Sequence, residues 1–178
     1  MITITTILGN IKKDSLLNQK YKEFFQKNLV ENVTIRRSES EKARMRKTSD
    51  KGTDIGFILP SGTRFKDQDV VFLDEDKIIV IKLATELVAI ISFKNQLSNE
   101  YQKQNRSHLI DIAVKIGHTI GNLHRPLKLE DYKIIFPIQT IDEVNLFQKL
   151  LADVKDHIDI SFDETIFEPD QGFDIHEH

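Results

Sequence analysis

The residues with the clearest chemical capacity in this 178-residue sequence are its histidines. Four of the six lie in two short segments, GHTIGNLHRP at 117–126 and DIHEH at 174–178. The sequence contains no cysteine, so disulfides and thiolate ligands are excluded, and a metal site must use imidazole and carboxylate groups. Neutral imidazole suits zinc, copper and nickel. The pattern therefore indicates divalent-metal chemistry.

His176 and His178 form an H-x-H pair at the end of the chain. Alternate side chains of an extended segment lie on the same side, so both rings can reach one ion. The surrounding residues are acidic, since nine acids and one base follow from Asp153 onward. The segment predicts a cation-binding arm, and the alternative is a cloning remnant.

His124 follows the expected end of a helix at Gly121-Asn122, two residues that tolerate the left-handed conformation. Pro126 disfavours helical geometry at Arg125, so the chain must turn here and hold the His124 ring on that turn. Taken alone, His124 is better explained as an ordinary exposed loop histidine. His118, one turn before Asn122, is expected to be packed or hydrogen-bonded at the helix surface.

Composition restricts the class of protein. The basic stretch 36–51 lacks interleaved aromatic residues and any nucleic-acid motif, so we expect a solvated strand face and no nucleic-acid partner. No apolar run approaches the ~20 residues of a membrane span, and the start does not resemble a signal peptide. We expect a soluble, cytoplasmic protein. Nucleophile elbows, phosphate loops and H-E-x-x-H helices are absent from the sequence, which argues against an enzyme.

The elements that must position these histidines fall into two halves. In the first half, β-branched runs predict strands up to about Leu83, with one strand over the first ten residues and one amphipathic helix, SLLNQKYKEFFQKNLVE. The second half is predicted to run strand, helix, strand, strand, helix, strand. In this order the segments are ELVAIISF, a helix capped by Ser107, LKLE, YKIIFPI, a helix from Thr140, and IDISF. That order is the split βαβ pattern of a ferredoxin-like fold.

We therefore predict an α+β protein with a β-rich N-terminal domain (1–84), a ferredoxin-like βαββαβ domain (85–166) and a flexible histidine-bearing tail (167–178). Three stretches of the sequence, taken together, are similar to one known family. They are RKTSDKGTDIGFILPSGTRFKDQDVVF, GHTIGNLHRPLKLE with its G-N-x-H-x-P element, and FEPDQGFDIHEH. In this order they resemble the urease accessory nickel metallochaperones of the UreE type.

The resemblance implies a homodimer formed through the C-terminal domain and a partner-binding N-terminal domain. The family's interfacial Ni²⁺ ligand falls on His124, once per subunit, and its variable C-terminal ligands fall on His176 or His178; Zn²⁺ and Cu²⁺ are alternative ions. Nickel would pass to the accessory GTPase UreG and to the urease apoprotein complex, without catalysis.

Some features depart from the family pattern. Leu123 stands where the family usually has Arg, and the N-terminal helix and the polar stretch 94–106 resemble insertions. Two other functions stay open at this point, a metal-independent protein-binding module and a metal-dependent hydrolase using His118 and His124.

Overall fold

The computed structural model describes residues 1–94 and 105–169. The chain divides into two compact units, Met1–Ala84 and Thr85–His178. Each unit contains both strands and helix, so the predicted α+β class is confirmed. Most of the predicted tail, including His176 and His178, lies outside the described residues. Phe167, the first residue of that predicted tail, is buried, so the chain is still packed at this point.

The first unit contains two sheets and one helix, α1 (Ser15–Gln26). Its strands are β1 (Ile2–Ile4), β2 (Gly9–Asn10), β3 (Val30–Ile35), β4 (Arg44–Thr48), β5 (Asp54–Ile58), β6 (Asp69–Leu73) and β7 (Ile78–Leu83). Sheet one has the order β1-β5-β4, with β1 parallel to β5. Sheet two has the order β2-β6-β7-β3, with β3 parallel to β7.

The prediction of a single strand over the first ten residues is wrong. Its first part, β1, pairs with β5 in sheet one, whereas β2 pairs with β6 in sheet two. The chain therefore leaves one ladder and joins another between Ile4 and Gly9. An Asp-x-Gly stretch favours a hairpin turn, and Asp50-Lys51-Gly52 forms one: it joins the antiparallel strands β4 and β5, and Gly52 takes φ +87°.

Sheet two is the middle layer of the first unit, which explains the unbroken apolar run of β7. Ile79 and Ile81 pack in the core shared with sheet one, while Ile78 and Val80 pack in a second core. Leu17, Tyr21 and Phe24 of α1 cover this second core. A strand covered on both faces needs apolar residues at consecutive positions, so alternation is absent from β7.

A buried polar group, here named the Glu31 cluster, joins the two sheets and consists of Glu31, Ser49, Thr53 and Lys77. Glu31 on β3 is only 5% exposed. It accepts hydrogen bonds from Ser49 Oγ at 2.5 Å and from Lys77 Nζ at 2.7 Å. Since Ser49 belongs to the β4–β5 connection, these bonds hold the hairpin of sheet one against β3 of sheet two.

In its described residues, 85–94 and 105–169, the second unit consists of a four-stranded antiparallel sheet with two α-helices. Its strands are β8 (Glu86–Phe93), β9 (Lys128–Glu130), β10 (Lys133–Pro137) and β11 (Ile158–Thr165), in the order β11-β8-β10-β9, and its helices are α2 (Asn105–Asn122) and α3 (Asp142–Leu150). One core contains the buried residues of both helices. The rings of Phe136 on β10 and Phe147 on α3 lie 4.5 Å apart between centroids.

Helix α2 begins earlier than predicted. The expected cap, Ser107, lies inside the helix, which starts at Asn105. Serine is only mildly unfavourable within a helix, so the apolar face carrying Ile112, Ile116 and Ile120 stabilises the helix beyond the predicted cap.

Candidate metal-binding turn

Helix α2 ends in a hydrogen-bonded turn that carries His124. The His124 N–H donates to the Gly121 carbonyl at 2.9 Å, and the Arg125 N–H donates back to the Ile120 carbonyl at 3.3 Å. This pair of bonds is the Schellman arrangement, in which one residue past the helix takes the left-handed conformation. That residue is His124, with φ +51°.

The left-handed residue was expected at Gly121 or Asn122, and this prediction is wrong. Both residues are helical, and α2 ends at Asn122 as predicted. Pro126 accounts for the later position of the left-handed residue. It disfavours helical geometry only at the residue before it, Arg125, so the helix can continue to Asn122 before the chain turns. Glycine usually occupies such a position. A histidine there costs about 1 kcal/mol in backbone conformation, and local strain of this kind is often found at functional sites.

The surroundings of His124 favour a positive ligand. His124 is exposed to solvent, and it lies at the C-terminal end of the 18-residue helix α2. The C-terminal end of a helix carries a partial negative charge that stabilises cations within about one turn. His124 therefore lies on a hydrogen-bonded turn at the helix end where a cation is favoured.

An ion pair ties this turn to the next helix. Arg125 Nη2 lies 3.0 Å from Glu143 Oε2 and 3.2 Å from Glu143 Oε1. The two side chains are only 23% and 18% exposed. The pair was not found from the sequence, because its members are 18 residues apart and belong to no motif.

His118 is placed as the sequence predicts. Its side chain is exposed on α2, and the Asn122 amide nitrogen lies 3.2 Å from its Nδ1. A hydrogen-bonded histidine at a helix surface is thus confirmed. Within residues 1–94 and 105–169, no group of three or more histidine or carboxylate side chains is close enough to hold a metal ion. In the described part of one chain, His124 therefore has too few neighbouring ligands for a complete site.

The solvent face of α2 carries a stripe of apolar and small residues, here named the α2 stripe: Ile110, Val114, Gly117 and Gly121. Their spacing of four, three and four residues places them on one side of the helix. Ile110 and Val114 are 61% and 65% exposed. A Cβ added at either glycine would meet no atom within 4 Å, so the helix backbone is open to approach there.

Comparison with known proteins now adds to this geometry. Residues 4–84 match the family model of the UreE urease accessory protein, N-terminal domain. The UreE urease accessory proteins of Yersinia bercovieri and of Yersinia pestis (strain Pestoides F) are each 29% identical over 140 residues, or 78% of this chain. Both comparisons therefore give the same result: the sequence is similar to the UreE urease accessory proteins.

The likeness is not confined to the first unit. The aligned 140 residues exceed the length of Met1–Ala84, so the similarity to the Yersinia UreE proteins continues into the second unit. The alignment covers 58% and 57% of those two relatives, so the chain spans less than three fifths of their length. Among the described residues, no helix is long and apolar enough to cross a membrane.

Proposed function

We propose that this protein is a urease accessory nickel metallochaperone of the UreE family. It binds Ni²⁺ through His124 and delivers the ion for maturation of the urease active site, without a catalytic reaction of its own. The observation that carries the proposal is the exposed imidazole of His124, held in a left-handed turn at the negative end of α2.

One imidazole is a poor metal site, so the proposal includes a second copy of the chain. Two-fold symmetry doubles the number of ligands without new sequence. The α2 stripe supplies an apolar surface for this contact, and its glycines allow two helices to approach closely. The strand order β11-β8-β10-β9, antiparallel throughout, supports a ferredoxin-like assignment for the unit that forms the dimer.

The remaining ligands are proposed to come from His176 and His178, as a delivering arm. The proposed partners are the accessory GTPase UreG and the urease apoprotein complex in the cytoplasm, with the first unit (1–84) as the partner-binding domain. Zinc and copper ions fit the same imidazoles by their ligand preference.

Calorimetric titration with Ni²⁺ tests the metal site. His124→Ala is expected to weaken binding by more than about 100-fold, since loss of a mere supporting residue already costs about 10- to 100-fold. His118→Ala is the matched control on the same helix and should bind as the parent does. Deletion of 174–178 should lower the nickel affinity by about tenfold only, because the entropy lost on ordering a tail offsets part of each ligand bond that the tail makes. Full nickel binding by His124→Ala, with none after the truncation, would assign the site to the tail instead.

Light scattering tests the dimer. Val114→Asp should give a monomer, because it places a charge in the proposed apolar contact. Leu16→Asp on α1 is the matched control, since Leu16 is 71% exposed and lies outside the α2 stripe. A parent protein that stays monomeric at micromolar concentration, both with and without nickel, contradicts the dimeric site.

Equilibrium dialysis that retains no nickel would favour the metal-independent binding module.

A further inference from the structure

We propose that Arg125 and Glu143 are positioning residues for His124, and that their ion pair holds the histidine turn in its left-handed conformation. This inference rests on the proposed function, because it assigns a role relative to His124 as a metal ligand. Neither residue is itself a ligand.

Arg125 is held at both its backbone and its side chain. Its N–H closes the outer bond of the turn on the Ile120 carbonyl, and its guanidinium lies between the two oxygens of Glu143. Glu143 belongs to the first turn of α3, next to the buried Val144. The exposed turn at the end of α2 is thereby connected to a helix whose position is set by the core.

One of the backbone hydrogen bonds that close this turn is long. The outer bond, from the Arg125 N–H to the Ile120 carbonyl, is 3.3 Å long, beyond the usual 2.7–3.2 Å range for such bonds. His124 is at the same time in a conformation that costs energy for any residue with a Cβ. The mostly buried ion pair adds a second tie to the turn, and water screens the pair incompletely because its side chains are only 23% and 18% exposed.

A fixed turn matters for metal binding because a ligand that is already oriented loses less freedom when the ion arrives. Supporting residues around metal ligands commonly change affinity by about 10- to 100-fold when they are replaced. We expect the lower end of that range here, because Arg125 acts through the backbone and not through a bond to the imidazole.

The experiment combines nickel calorimetry with amide hydrogen exchange measured by NMR on the metal-free, full-length protein. Glu143→Gln and Arg125→Gln should each weaken nickel binding about tenfold and speed exchange at the His124 and Arg125 amides. Arg125→Lys should stay within about threefold of the parent, because one guanidinium nitrogen makes both contacts and an ammonium can do the same. The matched control is Lys115→Gln, which breaks another ion pair of α2, with Asp153, away from the turn.

Glu143→Gln that keeps both the parent's nickel affinity and its exchange rates would overturn the inference while leaving the proposed function intact. An equal loss of nickel affinity and of amide protection in Lys115→Gln would also overturn the inference, because it would show that breaking any ion pair of α2 has the same effect. If the parent binds no nickel, or if His124→Ala binds as the parent does, the proposed function fails. The exchange measurement still decides whether the pair holds the turn, and protection at Ile116 shows that each variant is folded.

Discussion

The two units use their polar side chains in opposite ways. In the first unit, Glu31 is 5% exposed and surrounded by donors from both sheets. In the second unit, His124 is exposed and lies on a turn that backbone hydrogen bonds close. The contrast separates polar residues that stabilise a fold from those available to a ligand. The Glu31 cluster should therefore affect stability alone, and the His124 turn should affect metal binding with little loss of stability.

The largest stability effect is expected from Glu31→Ala. The substitution leaves Lys77 and Ser49 without their shared acceptor, and breaking a buried pair in this way costs about 3 kcal/mol. Urea denaturation measures the change in the free energy of unfolding. Nickel affinity should be unchanged, and a parallel loss of nickel binding would break the separation between the two regions.

Acid should weaken the Glu31 cluster over a defined range. Burial opposes ionisation of Glu31, but the hydrogen bonds that it accepts, together with the charge of Lys77, outweigh burial and lower its pKa from 4.5 to about 2. A depressed pKa contributes stability above pH 4.5 that is lost as the pH falls toward 2. Between pH 7 and pH 3 the loss is about 2 kcal/mol, from 1.36 kcal/mol per pKa unit.

The variant that isolates this effect is Glu31→Gln, which cannot ionise. The difference in unfolding free energy between parent and variant should shrink steadily below about pH 4.5. A constant difference down to pH 3 would show that the carboxylate of Glu31 is not the titrating group.

His124→Gly should raise stability while it removes metal binding. Glycine adopts positive φ without strain, which gains about 1 kcal/mol, and part of this is offset by the greater freedom of glycine in the unfolded chain. A net gain of about 0.5 kcal/mol is expected from urea denaturation. His124→Asn is the control, because asparagine tolerates the same conformation and should leave stability close to that of the parent. A clear destabilisation by glycine would contradict the left-handed turn.

The smallest effect is expected from Asp54→Ala on the surface of the first unit. Asp54 pairs with Arg46 at 2.7 Å, but the two side chains are 33% and 74% exposed. Exposed pairs contribute little, because solvent screens them and long side chains lose freedom. The urea midpoint should not move measurably, and a shift as large as that of Glu31→Ala would remove the distinction between buried and exposed pairs.

Local patterns in the sequence predicted most of the fold. The apolar run of β7, the amphipathic α1 and the hairpin at Gly52 each depend on residues close together in the chain, so periodicity and turn chemistry suffice to find them. The division of the first ten residues between two sheets was missed, because strand identity depends on partners more than 50 residues away.

The candidate site was predictable in its residue but not in its geometry. The turn at His124 follows from the helix end and Pro126, whereas the exact left-handed residue depends on how far the apolar face of α2 carries the helix. The ion pair of Arg125 with Glu143 requires that the turn after α2 lie beside the first turn of α3, and no spacing rule contains that information.

The backbone conformation at position 124 also restricts which side chains, and therefore which metal-donor atoms, this turn can carry. Glycine, asparagine, aspartate and histidine enter the left-handed region most readily, so longer carboxylate and thioether side chains are disfavoured at position 124 by conformation before any metal is considered. Of the permitted residues, histidine offers nitrogen to borderline ions such as nickel, and aspartate offers oxygen to hard ions such as magnesium. Under the proposed function, the hardness of the metal bound at this turn would therefore be set by a choice among few amino acids, and His124→Asp would favour a hard ion while keeping a residue that tolerates the turn.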